Sequence, residues 1–288
     1  MSLESPVIGY TLGDQAGIGP EIIRKALPQL DPRAEYRQMG GAVQATPGHP
    51  TLETAHAALE HLELAAQALK EGTIDAVVTA PVCKEGLHAV GFPFPGQTEF
   101  FAARLGVENF AMCLTGRHLT VGLGTIHVAL HDVPQLLDTA ELVRIGTLLA
   151  DFLQRTGTAA PRLAVAALNP HAGENGAFGR EEIDIITPAV QELQRTLPGC
   201  TISGPCVPDC VYRDAVEGLY DAVLCPYHDQ GLIPLKLVDF DNAVNATLGL
   251  PRLRVSPDHG TAFGIAGKGL ARESSTVRAF ELALKSVR

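Results

Sequence analysis

No stretch of this sequence stays apolar for the ~20 residues that a membrane span requires, and no basic, apolar leader opens it. Both absences point to a protein of the cytoplasm. Positive charge is also in short supply: 22 Lys and Arg stand against 32 Asp and Glu, a formal net charge of -10. Nonspecific binding to nucleic acid or to an anionic membrane is therefore disfavoured, and an anionic substrate can bind only where a few cations converge. The six cysteines form no CxxC pair, and Cys206 and Cys210 are the only two that lie close together. Scattered thiols of this kind read as reduced and mostly buried in a cytosolic protein. The chain contains neither an internal repeat nor a low-complexity tract.

What is present is apolar material in quantity. Of 288 residues 46% are hydrophobic and 19% charged, which suits one large domain or two interlocked ones. Short apolar runs alternate with longer helical patterns, the signature of an α/β protein with a mainly parallel sheet. Val7 to Leu12 reads as a strand that ends in the glycine-rich turn Gly13 to Gly19, after which Pro20 and Glu21 suit the first turn of a helix. Apolar residues at helical spacing run from Thr51 to Leu69, with Gly72 as a stop, and again from Thr139 to Arg155, with Asp138 as N-cap. Further strands are expected at Asp75 to Ala80, Phe110 to Leu114, Leu119 to Ile126, Arg162 to Leu168 and Asp221 to Cys225. Helices are expected at Thr98 to Leu105, Arg180 to Leu193 and Ser275 to Ser286. Between Leu30 and His49 the pattern suggests no strand, although a doubly wound sheet would place its second one there.

Three of the ten histidines share a structural address. His127 follows the strand that ends at Ile126; His171 and His228 each lie three residues beyond a strand end, at Leu168 and Cys225. Open parallel sheets bind ligands outside the carboxyl ends of their strands, so the three imidazoles could converge on one divalent ion, zinc foremost, with open positions for substrate oxygens. Each could equally be a loop histidine with a local hydrogen bond. Asp229, beside His228, is a candidate for orienting that imidazole or for proton transfer, and equally for capping its loop. Lys84, just past the strand ending at Ala80, is a second catalytic candidate.

At Gly13 to Glu21, Pro95 to Ala102, Asn169 to Asp184, Asp221 to Gly231 and Asn245 to Gly269 the sequence resembles the 4-hydroxythreonine-4-phosphate dehydrogenase family of vitamin B6 biosynthesis. The blocks NPHAGENGAFGREEID and YHDQG carry most of the specificity. The resemblance places the metal ligands on His127, His171 and His228, with magnesium, cobalt or manganese as alternatives to zinc. It places substrate binding on Gln97, Thr98, Lys236, Asn245 and Arg254. It further implies a homodimer with the active site at the subunit interface, and an isopropylmalate-dehydrogenase-like fold. That fold has two interlocked α/β/α lobes around a mostly parallel sheet, with the active site in a cleft. One lobe would comprise residues 1–125 with 255–288, the other residues 126–254. The segment His259, Gly260, Thr261, Ala262 resembles the loop that holds the adenosine half of NAD or NADP in those relatives.

The implied activity is the metal- and NAD-dependent oxidation and decarboxylation of 4-phosphooxy-threonine. The alternatives are the same chemistry on a phosphorylated threonate or erythronate or on a dihydrodiol carboxylate, a phosphate acyltransferase, and a silent paralogue. The sequence departs from the family in three places. Gln97 stands where the family has His, Gln15 stands where it has Pro, and several tens of residues are missing before the Thr51 helix.

Overall fold

The computed structural model describes residues 5–287. In chain order the elements are β1 (Val7–Thr11), α1 (Gly19–Ala26), β2 (Glu35–Gln38), α2 (Leu52–Glu71), β3 (Ala76–Thr79), α3 (Lys84–Ala89) and α4 (Gln97–Leu105). There follow β4 (Ala111–Thr115), β5 (Thr120–Thr125), α5 (Val133–Leu136), α6 (Thr139–Arg155), β6 (Arg162–Ala166), α7 (Thr187–Thr196), β7 (Thr201–Cys206) and α8 (Pro208–Val216). The chain ends with β8 (Ala222–Tyr227), α9 (His228–Asp239), β9 (Val244–Leu248), β10 (Arg254–Pro257) and α10 (Ser274–Lys285).

Local chemistry sets the helix boundaries. Thr51 and Thr54 form a reciprocal capping box at the start of α2, and Gly72 ends that helix in the left-handed conformation that a side chain would resist. The Asp138 carboxylate accepts the Glu141 N–H at 2.9 Å to start α6. Leu142, Ile145, Leu149 and Phe152 then form its buried stripe at three- and four-residue spacing.

The chain divides into two compact units, one running up to Asn109 and resuming at Val244, the other Phe110–Ala243. These boundaries differ from the division at 125 and 254 expected above, because strand pairing decides them. β5 pairs with β8 and carries β4 with it into the second unit, while β9 and β10 join β3 in the first. Residues 1–4 and 288, expected in the first lobe, lie outside the described residues.

In the first unit the strands run in the order β2-β1-β3-β10-β9, parallel except for β9 against β10. The stretch 30–49 does hold a strand, contrary to the sequence expectation. β2 is Glu-Tyr-Arg-Gln at the sheet edge, and none of its four residues is fully buried, so no apolar pattern announces it. In the second unit the order is β4-β5-β8-β6-β7, again parallel except at the first pair. Val121, Leu123, Ala164, Ala166, Val223 and Cys225 form the core there with Val211 and Ala215 of α8 and Leu235 of α9. Burying each Leu or Val of this set contributes about 1.5–3 kcal/mol. Among the described residues all six cysteines are free, and no helix is long and apolar enough to cross a membrane.

Candidate active site

Strand register gathers the first group of functional side chains, all in the first unit. Arg254 lies opposite Thr247 in the β9–β10 pair, and Asn245 lies two residues from Thr247 on the same face. On the other side Arg254 is paired with Val77, so Thr79, two residues further along β3, also shares its face. Arg254 is only 2% exposed. Its Nε and Nη2 donate to Thr79 Oγ1 at 3.0 and 2.8 Å, and its Nη1 reaches Asn245 Oδ1 at 3.4 Å. The guanidinium also lies over the Phe101 ring, 5.8 Å from its centroid. Burial pushes its pKa down to about 9, opposed by the Glu99 carboxylate. A buried cation is normally matched by a carboxylate. Among the described residues none forms an ion pair with this one.

Gln97 and Thr98 open α4 beside this group, with the Thr98 hydroxyl 3.2 Å from that of Thr247. The Gln97 amide oxygen is buried and meets no donor among the described residues. Four of the five expected substrate residues therefore belong to one unit. Lys236 belongs to the other, on α9, with its ammonium 5.7 Å from the centre of the Phe240 ring. Lys84 is exposed at the start of α3, and no hydrogen bond or ion pair among the described residues ties it to the Arg254 group.

The segment expected to hold a nicotinamide cofactor is tied to the glycine-rich turn. Ile18 N–H donates to Thr261 O at 2.9 Å. A Cβ at Gly17 would come within 2.7 Å of that same oxygen, so only glycine lets the two loops meet. Ala262 takes a left-handed conformation at φ 44°, and His259 Nδ1 lies 3.1 Å from Gly260 O. Gln15 has its own task. Its amide donates to Gly41 O at 3.0 Å and accepts from Val43 N–H at 3.1 Å, pinning the segment before α2 against the turn.

The three histidines all lie in the second unit, but they do not converge. β5 and β8 are sheet neighbours with Thr125 opposite Tyr227, so His127 and His228 emerge side by side, their rings 5.8 Å apart. Asp229 holds His228 Nδ1 at 2.7 Å, which leaves Nε2 open to a ligand. His171 is 69% exposed and next to Glu174. Among the described residues no three ligating side chains form a group that could hold an ion. Within one chain the structure thus brings two of the three expected ligands together, His127 and His228, and leaves His171 apart from them. The chain leaves β6 at Ala166, before His171, and then enters six successive residues of positive φ, His171 to Gly176. Two imidazoles with one tautomer fixed by a carboxylate suit part of a divalent site, and the donor set is completed only if another group joins them.

The His171 loop has an anchor that the sequence did not reveal. Glu182 is buried, and its Oε1 accepts the N–H groups of Leu168 and Asn169 at 2.9 and 2.7 Å while its Oε2 accepts from the Asn169 amide at 3.0 Å. A Cβ at Gly173 would meet Glu182 Oε2 at 2.6 Å. Thr79 and Thr247 were also missed. The only signal for Thr79 is a hydroxyl closing an otherwise apolar strand, Ala-Val-Val-Thr.

The 4-hydroxythreonine-4-phosphate dehydrogenase of Desulfosudis oleivorans is 42% identical over 97% of this chain and 95% of its own length. That alignment runs over 323 residues against the 288 of this chain, so the relative carries internal segments absent here. The D-threonate 4-phosphate dehydrogenase of Salmonella typhimurium is 37% identical over 98% and 99% of the two chains. The crystal structure of the Klebsiella pneumoniae 4-hydroxythreonine-4-phosphate dehydrogenase superimposes with a TM-score of 0.84 at 35% identity, covering 99% of this chain and 100% of that one. A β-decarboxylating dehydrogenase from Thermococcus kodakarensis, at 15% identity and a TM-score of 0.52 over 96% and 81% of the chains, shares the fold. The pyridoxal phosphate biosynthetic protein PdxA family matches residues 20–283. With this match along nearly the whole chain, the protein belongs to the PdxA family.

Proposed function

We propose that this protein is a cytoplasmic homodimeric dehydrogenase that oxidises 4-phosphooxy-threonine with NAD or NADP and releases carbon dioxide. The observation that carries the reading is Arg254, buried and without an ion-paired carboxylate among the described residues, on a face that also presents Asn245 and Thr247. Such a cation is stabilised by an anionic group on the substrate, with Thr98 and Gln97 offering neutral hydrogen bonds beside it. Lys236 is a further cation for the same substrate, and Lys84 is the weaker of the two catalytic candidates. The His259 to Ala262 segment holds the adenosine half of the dinucleotide, which accepts a hydride when bound.

His127 and His228 supply two ligands for a divalent ion, zinc foremost. His171 of the partner subunit supplies the third, which is why the loop leaves it exposed in one chain. A bound ion would lower the pKa of the substrate hydroxyl and polarise the carbonyl that follows oxidation. Asp229 keeps the proton on His228 Nδ1, so that Nε2 presents its lone pair.

Mixing two inactive variants tests this reading. His127→Ala and His171→Ala homodimers should each lose most bound zinc and NADH formation. Heterodimers assembled from the two contain one intact site and should recover both signals to about half. Recovery of neither, with heterodimers verified by mass, refutes the shared site. A second substrate belongs in the assay because Gln97 replaces the family histidine: D-threonate 4-phosphate, for which the Salmonella relative is named.

A further inference from the structure

We propose that Thr79 is the positioning residue of the anion site: its hydroxyl fixes the guanidinium of Arg254 facing the substrate without neutralising it. The inference rests on the reading of Arg254 as a substrate ligand and adds a residue to that site. The Thr79 side chain is fully buried. A hydroxyl has two lone pairs, and here both are engaged by one partner, through Nε at 3.0 Å and Nη2 at 2.8 Å. Its own proton points to Val255 O at 3.5 Å, within the same sheet. The β-branched side chain has a restricted χ1, so the acceptor is held by the strand itself.

Two consequences follow from using one neutral oxygen for two donors. The plane of the guanidinium is set, since Nε and Nη2 share a single point of attachment and Nη1 is turned toward Asn245. The positive charge is left whole. A carboxylate at position 79 would make a bidentate pair with Arg254 and satisfy from within the charge that the substrate should meet. An apolar residue of the same shape would strand two buried N–H groups and release the guanidinium to rotate toward other acceptors. Burial lowers the pKa of Arg254 although the Glu99 carboxylate opposes it, in keeping with a guanidinium that makes no ion pair among the described residues.

The test compares Thr79→Val, Thr79→Ser, Thr79→Asp and Arg254→Met with the wild-type enzyme. Binding of inorganic phosphate and of malonate is measured by calorimetry, so that a phosphate site is distinguished from a carboxylate site. KM and kcat are then measured for 4-phosphooxy-threonine. Thr79→Val should weaken binding of the preferred anion about tenfold and raise KM by a similar factor, with kcat changed less than about twofold. Thr79→Ser should recover affinity to within about threefold. Thr79→Asp should abolish anion binding while its unfolding midpoint stays at or above that of Thr79→Val, because the new carboxylate pairs with Arg254. Arg254→Met should lose anion binding too. Loss in Arg254→Met combined with wild-type affinity in Thr79→Val or Thr79→Asp overturns the role of Thr79 alone. Undiminished anion affinity in Arg254→Met overturns the reading of the site, and the proposal with it.

Discussion

Replacing Glu182 with Ala removes the group that holds the His171 loop to the end of β6. The loop is costly to keep in shape. Four of its six successive positive-φ residues are not glycine (His171, Ala172, Glu174 and Asn175), and each left-handed non-glycine residue costs roughly 1 kcal/mol, about 4 kcal/mol for the segment. Against this, Glu182 accepts three hydrogen bonds at 2.7–3.0 Å. Hydrogen bonds to a charged acceptor are worth about 1.5 kcal/mol each at the low end of their range, or about 4–5 kcal/mol together. The two totals are of the same size, so the anchor decides whether the loop conformation persists. Glu182→Ala should cost about 3–4 kcal/mol in urea unfolding or, if the loop releases first, should expose residues 170–180 to limited proteolysis. Glu182→Gln keeps one acceptor oxygen and should cost about half as much. Zinc affinity should fall at least tenfold in the Ala variant, since His171 is then no longer presented. A Glu182→Ala protein within 1 kcal/mol of wild type, protease-resistant in the loop and with unchanged zinc affinity, would refute the reasoning.

His61 is 2% exposed on α2 with a ring nitrogen that meets no partner among the described residues, and burial lowers its pKa from 6.5. The unfolded chain therefore takes up a proton that the folded chain resists. The stability associated with the neutral ring is complete above pH 6.5 and declines as pH falls from there toward the folded pKa. His61→Leu should flatten this part of the stability profile in pH-dependent urea titrations, and an unchanged slope contradicts the assignment. Gln97→His should lower KM for 4-phosphooxy-threonine by about five- to tenfold, most clearly below pH 7 where imidazole is charged. An unchanged or higher KM across pH 6 to 8 (about one unit either side of neutrality) would mean that position 97 does not contact the phosphate.

Much of this protein is determined by local sequence. The Gly72 stop, the Asp138 cap and the apolar stripe of α6 lie where the sequence places them, because caps, stops and helical periodicity act over a few residues. That His127 and His228 each follow a buried strand was legible too, whereas their pairing depends on β5 and β8 being neighbours. Tertiary structure decided the rest. β2 is polar because it lies at an edge, so only its partner β1 reveals it as a strand. Thr79 and Arg254 are 175 residues apart in sequence and meet through the register of β3 and β10, which no local pattern encodes. His171 was placed by its distance from a strand, but the conformation of its loop depends on Glu182 and on a run of left-handed residues. Strand neighbours, register and backbone handedness arise from long-range pairing, and these determine which of the recognisable residues meet within one chain.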